Sequence, residues 1–199
     1  MSHYFTNENL DSNLKKVMVK VEDRTFNFYT DLGVFSKRGL DFGSRTLIDT
    51  LLKENLQGKT LDVGCGYGCI GIILSSFFHI ETDMIDVNLR AIHLAKMNIK
   101  ENNLNNIEVF ESNVYSNIKE KYDYIVTNPP IRAGKRIVYE ILFKAKDYLK
   151  ENGTLYFVMN KNQGALSTIK DLKEIANVVV LEKNKGFYVI KCNFWLTIC

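Results

Sequence analysis

From residue 60 onward the chain alternates two kinds of segment, and that alternation restricts its possible folds more than any other feature. Short runs rich in β-branched and aromatic residues, TLDV (60–63), ETDMIDV (81–87), IEVFES (107–112), YDYIVTN (122–128) and GTLYFVMN (153–160), read as strands. Longer amphipathic stretches, GCIGIILSSFF (68–78), NLRAIHLAKMNIKENN (88–103) and IVYEILFKAKDYLKEN (137–152), read as helices among them. A helix between two strands carries the chain back across a sheet, so the strands pair in parallel and the expected fold is a doubly wound, Rossmann-like α/β sheet. The end departs from that rule. After a helix over 165–176, NVVVLEK (177–183) and GFYVIKC (186–192) are joined by Asn184 and Lys185, too short a link for a crossover. The last two of seven strands must therefore form an antiparallel hairpin.

Residues 1–42 read as an extension and 43–199 as the main domain. In the extension Val17, Val19 and Val21 alternate with Met18 and Lys20, and Phe26 and Phe28 with Asn27 and Tyr29, which predicts a small β-hairpin turning at Asp23-Arg24. Ser44 then looks like the N-cap of a helix with Leu47, Ile48, Leu51 and Leu52 on one face. The 46% hydrophobic and 25% charged residues of the 199-residue chain suit one sizeable core and exclude a disordered or fibrous chain.

No apolar run approaches the length of a membrane-spanning helix, and the start MSHYFTNENLDSNLKK carries no secretory pattern. Cys65, Cys69, Cys192 and Cys199 are too few and too irregularly spaced for a disulfide framework. His3, His79 and His93 are too scattered to complete a metal site with Cys65 and Cys69. These features predict a cytoplasmic protein with reduced cysteines, no metal and no membrane partner. The formal net charge of +3 is far from that of a strongly basic nucleic-acid binder, so any phosphate contacts must be concentrated locally.

The turn after the first strand of the main sheet, Leu61-Asp-Val-Gly-Cys-Gly-Tyr-Gly68, is rich in glycine, which lets a backbone bend sharply and approach a ligand. Gly66, Gly68 and Gly71 also spell a dinucleotide fingerprint. However, the glycine that ends the strand is Gly64, and Asp62 would set a carboxylate against a pyrophosphate. That carboxylate suits an ammonium group, which favours an aminoacyl-nucleoside such as S-adenosylmethionine over a dinucleotide or a bare βα turn. Asp86, about 24 residues past Asp62, can accept both hydroxyls of a ribose or cap the next helix, a role Asn88 can fill instead. Asn113 either reads an adenine edge or is a simple turn residue.

The chain's two prolines are adjacent, in Asn128-Pro129-Pro130-Ile131, directly after a strand. Prolines stiffen the segment and remove its amide donors, leaving carbonyl acceptors beside an amide side chain. Such a segment can terminate a strand, or it can hold an amino group whose two N–H bonds are accepted by Asn128 Oδ1 and the Pro129 carbonyl. Arg132, Lys135 and Arg136 follow, and Lys37, Arg38 and Arg45 precede. Together they form either a phosphate-binding rim or ordinary surface charge. Phe35 either stacks on a base or sits in the core.

Taken together, DVGCGYG, DVN, the strand-end NPP and the closing hairpin resemble class I S-adenosylmethionine-dependent methyltransferases. GVFSKRGLDFGSR and NPPIRAGK narrow the resemblance to the single-domain branch of the small-subunit ribosomal RNA guanine-N2 methyltransferases, over about residues 29–192. The resemblance implies that Asp62, Gly64, Cys65 and Gly66 hold the methionine part of the cofactor, Asp86 and Val87 the ribose, and Asn113 and Val114 the adenine. It implies that Asn128, Pro129 and Pro130 act on the amine, with Asn128 also at the cofactor, and that Phe35, Ile131, Arg132 and Lys135 meet the substrate. The implied partner is ribosomal RNA or the small ribosomal subunit.

Two departures stand out. Asn113 occupies a position where the family usually has Asp, and Ile131 one where related motifs carry an aromatic. Protein glutamine and nucleic-acid adenine remain alternative acceptors, and a non-catalytic nucleotide- or RNA-binding module is a third reading.

Overall fold

The computed structural model describes residues 13–31, 34 and 39–195, so the expectations placed on Phe35, Lys37 and Arg38 lie outside the described residues. The main sheet is built from β3 (Thr60–Val63), β4 (Thr82–Asp86), β5 (Ile107–Glu111), β6 (Tyr122–Thr127), β7 (Leu149–Asn160), β8 (Ala176–Asn184) and β9 (Phe187–Phe194). Its order is β5-β4-β3-β6-β7-β9-β8. The pairs from β5 to β7 are parallel, whereas β9 runs antiparallel between β7 and β8. The seven strands and the antiparallel ending are as the segment pattern requires. The closing turn is Lys185-Gly186 rather than Asn184-Lys185, with φ of 46° and 83°, because a two-residue turn that follows the strand twist needs both residues left-handed.

Helices cover both faces of the sheet: α1 (Phe42–Leu51), α2 (Cys69–Phe78) and α3 (Leu89–Glu101) on one side, α4 (Lys135–Tyr148) and α5 (Ala165–Leu172) on the other. The strand pleat sorts the core between them. Met84, Val126, Tyr156 and Val158 join the first side; Leu61, Val63, Ile85, Ile125, Leu155 and Phe157 join the second. Burial on both faces explains why these strands read as continuous apolar runs. Among the described residues, no helix is long and apolar enough to cross a membrane.

Several helix boundaries differ from expectation; α4 starts two residues early, at Lys135, and α5 ends at Leu172, since Ala176 already opens β8. α1 begins at Phe42, capped by Asp41, whose carboxylate accepts from the amides of Gly43 and Ser44. Asp and Ser cap comparably well, so sequence alone could not choose between them. α4 ends at Tyr148, because 149–152 already belong to β7, where Leu149 pairs with Tyr122 and Asn152 turns at φ 63°.

The N-terminal hairpin, β1 (Lys15–Val21) and β2 (Arg24–Thr30), turns at Glu22-Asp23, one residue earlier than predicted, since Val21 pairs with Arg24. Its inner face, Val19, Val21, Phe26 and Phe28, enters the same core as α1 and α2. A two-stranded sheet has little stability alone, and β2 exposes an edge that needs partners. Two amides one helical turn apart on α3 supply them. Asn98 Oδ1 accepts the Tyr29 N–H at 2.6 Å and its Nδ2 donates to the Tyr29 carbonyl at 3.0 Å. Asn102 repeats the pattern with Asn27, at 3.2 and 2.8 Å.

Asn98 is fully buried and also donates to the carbonyl of Tyr67, in the glycine-rich turn, at 2.8 Å. Replacing it with an apolar side chain strands three backbone groups, the buried carbonyl of Tyr67 and the half-buried amide and carbonyl of Tyr29. Asn98→Leu is expected to cost about 2–3 kcal/mol, read from the denaturant midpoint; a cost below about 0.5 kcal/mol would contradict this account.

Candidate active site

In a parallel sheet the C-terminal ends of the strands share one edge, and a crevice opens where the strand order reverses, here between β3 and β6. A cavity of about 510 Å³ lies at that edge. The turn after β3 contributes Gly64, Cys65 and Gly66 to it, the end of β4 Asp86 and Val87, and the segment after β5 Asn113 and Val114. Asn128, Pro129, Pro130, Ile131 and Arg132 enter from the end of β6.

The glycines of the turn divide by purpose. A Cβ on Gly66 (φ 58°) would meet nothing within 4 Å, so the backbone is bare toward open space. A Cβ on Gly71 would lie 2.5 Å from Met84 Sδ, so that glycine lets α2 pack against β4. The literal dinucleotide spacing therefore mixes a turn residue with a packing residue.

Asp86 Oδ2 accepts from Gly66 N and Oδ1 from Asn88 N, each at 2.9 Å. Asn88 itself caps α3, accepting from the amides of Arg90 and Ala91. The Asp86 carboxylate thus keeps acceptor capacity toward the cavity. Burial raises its pKa, against the opposing pull of the amide hydrogen bonds. Val114 holds a left-handed backbone, φ 52°, which is strained for a β-branched residue. Ser112 Oγ steadies it, donating to the Val114 carbonyl at 2.8 Å, and Asn113 is left exposed beside it.

Asp62 is not on the cavity wall. Its carboxylate is buried beneath the turn, where Oδ2 accepts from Gly71 N at 2.9 Å and Oδ1 has no partner. Burial pushes its pKa up to about 7; the Gly71 amide opposes that rise and the Asp86 charge adds to it. The Cys65 and Cys69 thiols are also pushed up by burial, which removes them as nucleophiles. Among the described residues no three His, Cys, Asp or Glu side chains gather as a metal site.

Asn128 is oriented by α1. Its Nδ2 donates to Ser44 Oγ at 3.0 Å and to Asp41 Oδ1 at 3.3 Å, which leaves Oδ1 as its acceptor. Pro129 is buried, and the Pro130 carbonyl is taken by the Ala133 amide at 2.9 Å. Ser44 was legible only as a capping residue, and Asp41 was not singled out at all. Their second role depends on α1 lying against the end of β6, which the local sequence does not encode. Phe187 and Gln163, also on the cavity wall, carried no local signal.

The expected cationic rim is reduced. Arg45 turns away, its Nε 2.9 Å from both carboxylate oxygens of Asp49 and its Nη1 on the Lys20 carbonyl. Lys135 lines a smaller neighbouring cavity and lies 4.6 Å from the Tyr139 ring centroid. Arg136 is exposed, and of these described cations Arg132 borders the main cavity.

The sequence matches the family described as Methyltransferase small domain over residues 25–191. It is 43% identical to the Bacillus subtilis protein YbxB, covering 95% of this chain and 96% of that one. It is 37% identical to the ribosomal RNA small subunit methyltransferase C of Aliivibrio fischeri, covering 88% of this chain and 52% of the relative. The Psychromonas ingrahamii protein of the same name is 34% identical, with 80% and 46% covered, so the chain spans about half the length of these relatives. The fold is similar to that of the T. thermophilus 16S rRNA N2 G1207 methyltransferase in complex with AdoMet and guanosine, with a TM-score of 0.79, 20% identity, and 94% and 52% covered. The ribosomal protein L11 methylase of Lactobacillus delbrueckii gives a TM-score of 0.68 at 17% identity, with 76% and 78% covered. At these identities the structural likeness bears on fold alone.

Asp62 also makes stability depend on pH. Folded, it holds its proton to about pH 7; unfolded, it loses it near pH 4. Between those values the folded chain binds more protons, so stability falls as pH rises from about 4 to about 7. Without cofactor, Asp62→Asn is expected to be more stable than the parent at pH 8, by about 2 kcal/mol or more, and to lose that advantage near pH 4. A difference in denaturant midpoint that ignores pH would contradict the assignment.

Proposed function

The chain belongs to the methyltransferase small-domain family and is a class I S-adenosylmethionine-dependent methyltransferase; from that premise we propose that it methylates the exocyclic N2 amine of a guanine in small-subunit ribosomal RNA. The observation carrying the reading is the orientation of Asn128, whose amide nitrogen is held by Asp41 and Ser44 so that its oxygen remains an acceptor. The likeness to the Aliivibrio and Psychromonas ribosomal RNA methyltransferases supports ribosomal RNA as the acceptor class. The small ribosomal subunit is the partner this reading implies.

The cavity suits the cofactor on three counts. The backbone at Gly66 faces open space, Asp86 offers acceptors beside it, and Asp62, with one unpartnered oxygen, is a carboxyl group that a nearby cation would ionise behind the turn. Gly64, Cys65 and Gly66 would hold the methionine part, with Asp62 acting on its ammonium from beneath the turn. Asp86 and Val87 would hold the ribose, and Asn113 and Val114 the adenine. When bound, S-adenosylmethionine supplies a methyl group on a sulfonium, activated for displacement.

The protein's task is orientation. The N2 lone pair of guanine is delocalised into the ring and is a poor nucleophile. Accepting its two N–H bonds at Asn128 Oδ1 and the Pro129 carbonyl favours a pyramidal nitrogen with the lone pair aimed at the methyl carbon. The N–C bond forms as the C–S bond breaks, and the extra proton on nitrogen leaves to solvent. Pro130 keeps the segment stiff, Ile131 and Arg132 border the acceptor side, and Lys135 lines the smaller cavity next to it. Among the described residues no histidine lines the cavity, in keeping with chemistry that needs no strong base before attack.

Tritiated methyl transfer to small subunits lacking the modification tests the acceptor. Label in N2-methylguanine supports the reading, and label confined to adenine or protein glutamine overturns it. Asn128→Ala is expected to lower the methylation rate about 100-fold or more with cofactor affinity nearly unchanged. Asp86→Ala is expected to weaken cofactor binding about 10- to 100-fold. Calorimetry beside initial rates separates the two, and parallel loss of both quantities in both variants would refute these roles.

A further inference from the structure

The residue after the paired prolines, Ile131, offers no π face, yet besides Tyr67, which is buried against Phe28, an aromatic ring does line the same cavity. It is Phe187, the first residue of β9, brought there by the insertion of β9 between β7 and β8. Phe42, the first residue of α1, packs against it with ring centroids 5.6 Å apart and an interplanar angle of 51°. Phe42 remains 38% exposed, and Lys185 Nζ sits 5.1 Å from its ring centroid.

The position of the Phe187 ring is set from both sides. A Cβ on Gly43 would lie 3.0 Å from Phe187 Cε1, so that glycine leaves the niche the ring fills. The Lys185-Gly186 turn is tied to the residue following β7 by Lys161 N donating to the Gly186 carbonyl at 2.7 Å. Gly43 stands between Asp41 and Ser44, the two residues that hold the Asn128 amide. The ring and the amine-holding amide are thus built on the same first turn of α1. Phe187 packs on the edge of the core yet stays half-buried at the cavity, so its ring presents a face suited to a planar, electron-rich base.

We infer that Phe187, backed by Phe42 and Lys185, is the stacking face for the acceptor base, an inference that rests on the reading of a nucleobase as acceptor. It supplies from the closing hairpin the aromatic surface that the NPP segment itself lacks. Stacking fixes the plane of the base while Asn128 and Pro129 fix its amine, so the two contacts together define the line of attack.

The test compares Phe187→Leu, which keeps apolar bulk over Gly43, with Phe187→Tyr, which keeps the ring. On unmodified small subunits, Phe187→Leu is expected to lower kcat/KM about 10- to 100-fold, the range of losing one base stack. Its cofactor affinity by calorimetry should stay within about twofold of the parent, and Phe187→Tyr should stay near parental activity. A leucine variant as active as the parent, or a tyrosine variant as impaired as the leucine one, overturns the inference. A parent that labels no RNA is a separate failure, of the acceptor reading, and is seen before any variant is compared. Saturation-transfer NMR with guanosine then gives an independent arm: a signal that falls in Phe187→Leu and survives in Phe187→Tyr supports the stacking face, and an equal signal in all three proteins overturns it.

Discussion

The parallel pairing of β3 with β4 and β6 is the constraint on which the site depends. Val63, Asp86 and Thr127 end those strands on one edge, so the glycine turn, the Asp86 carboxylate and the NPP segment meet around one cavity although they span residues 64 to 130. The contact between the two motifs is close, since a Cβ on Gly64 would lie 3.8 Å from Pro130 Cδ. Each motif alone is a βα turn or a strand end. Placed against each other by the strand register, they become two walls of a cavity able to bring a methyl donor and an amine together.

Electrostatics explains why the cavity favours a cation. Asp62 is buried and Asp86 half-buried at the cavity wall, and burial raises both pKa values. Their hydrogen bonds differ. Asp86 has an amide on each oxygen, while Asp62 has one oxygen satisfied and one without a partner. An unpartnered buried carboxylate oxygen is costly, and the cost is relieved by a proton or by a nearby positive charge. A bound cation therefore competes with protonation at Asp62, which couples cofactor binding to pH near neutrality without placing Asp62 on the cavity wall.

Much of this was readable in advance because it follows from local periodicity. The alternation of strand and helix segments demanded parallel pairing, and the short link at Asn184 and Lys185 demanded an antiparallel ending. What was not readable depends on direction and adjacency. Ser44 looked like a helix cap and Asp41 carried no reading of its own; only the docking of α1 against β6 reveals their hold on Asn128. Arg45 looked like a rim cation because a sequence gives no azimuth around a helix, and Asp49 one turn along captures it. Asn98 looked like one more polar residue in a helix, since nothing nearby in the chain announces that the edge of β2 will lie across it.

Asn98 also changes how the N-terminal hairpin relates to chemistry. Its amide is shared between Tyr29 on β2 and the carbonyl of Tyr67 in the glycine turn, and the Tyr67 and Phe28 rings meet edge to face at 5.5 Å. A displacement of the hairpin must therefore either break the Asn98 bonds or move the turn that faces the cofactor. Packed interiors respond to such demands by shifting as units, because few voids exist to absorb strain. The hairpin is thus a brace for the donor side of the cavity, while α1 and the closing hairpin brace the acceptor side through Asp41, Ser44 and Gly43. In-line transfer tolerates little error between donor and acceptor. Anchoring the two walls through separate elements, both packed on the β3–β6 core, gives each side rigidity while leaving the space between them open.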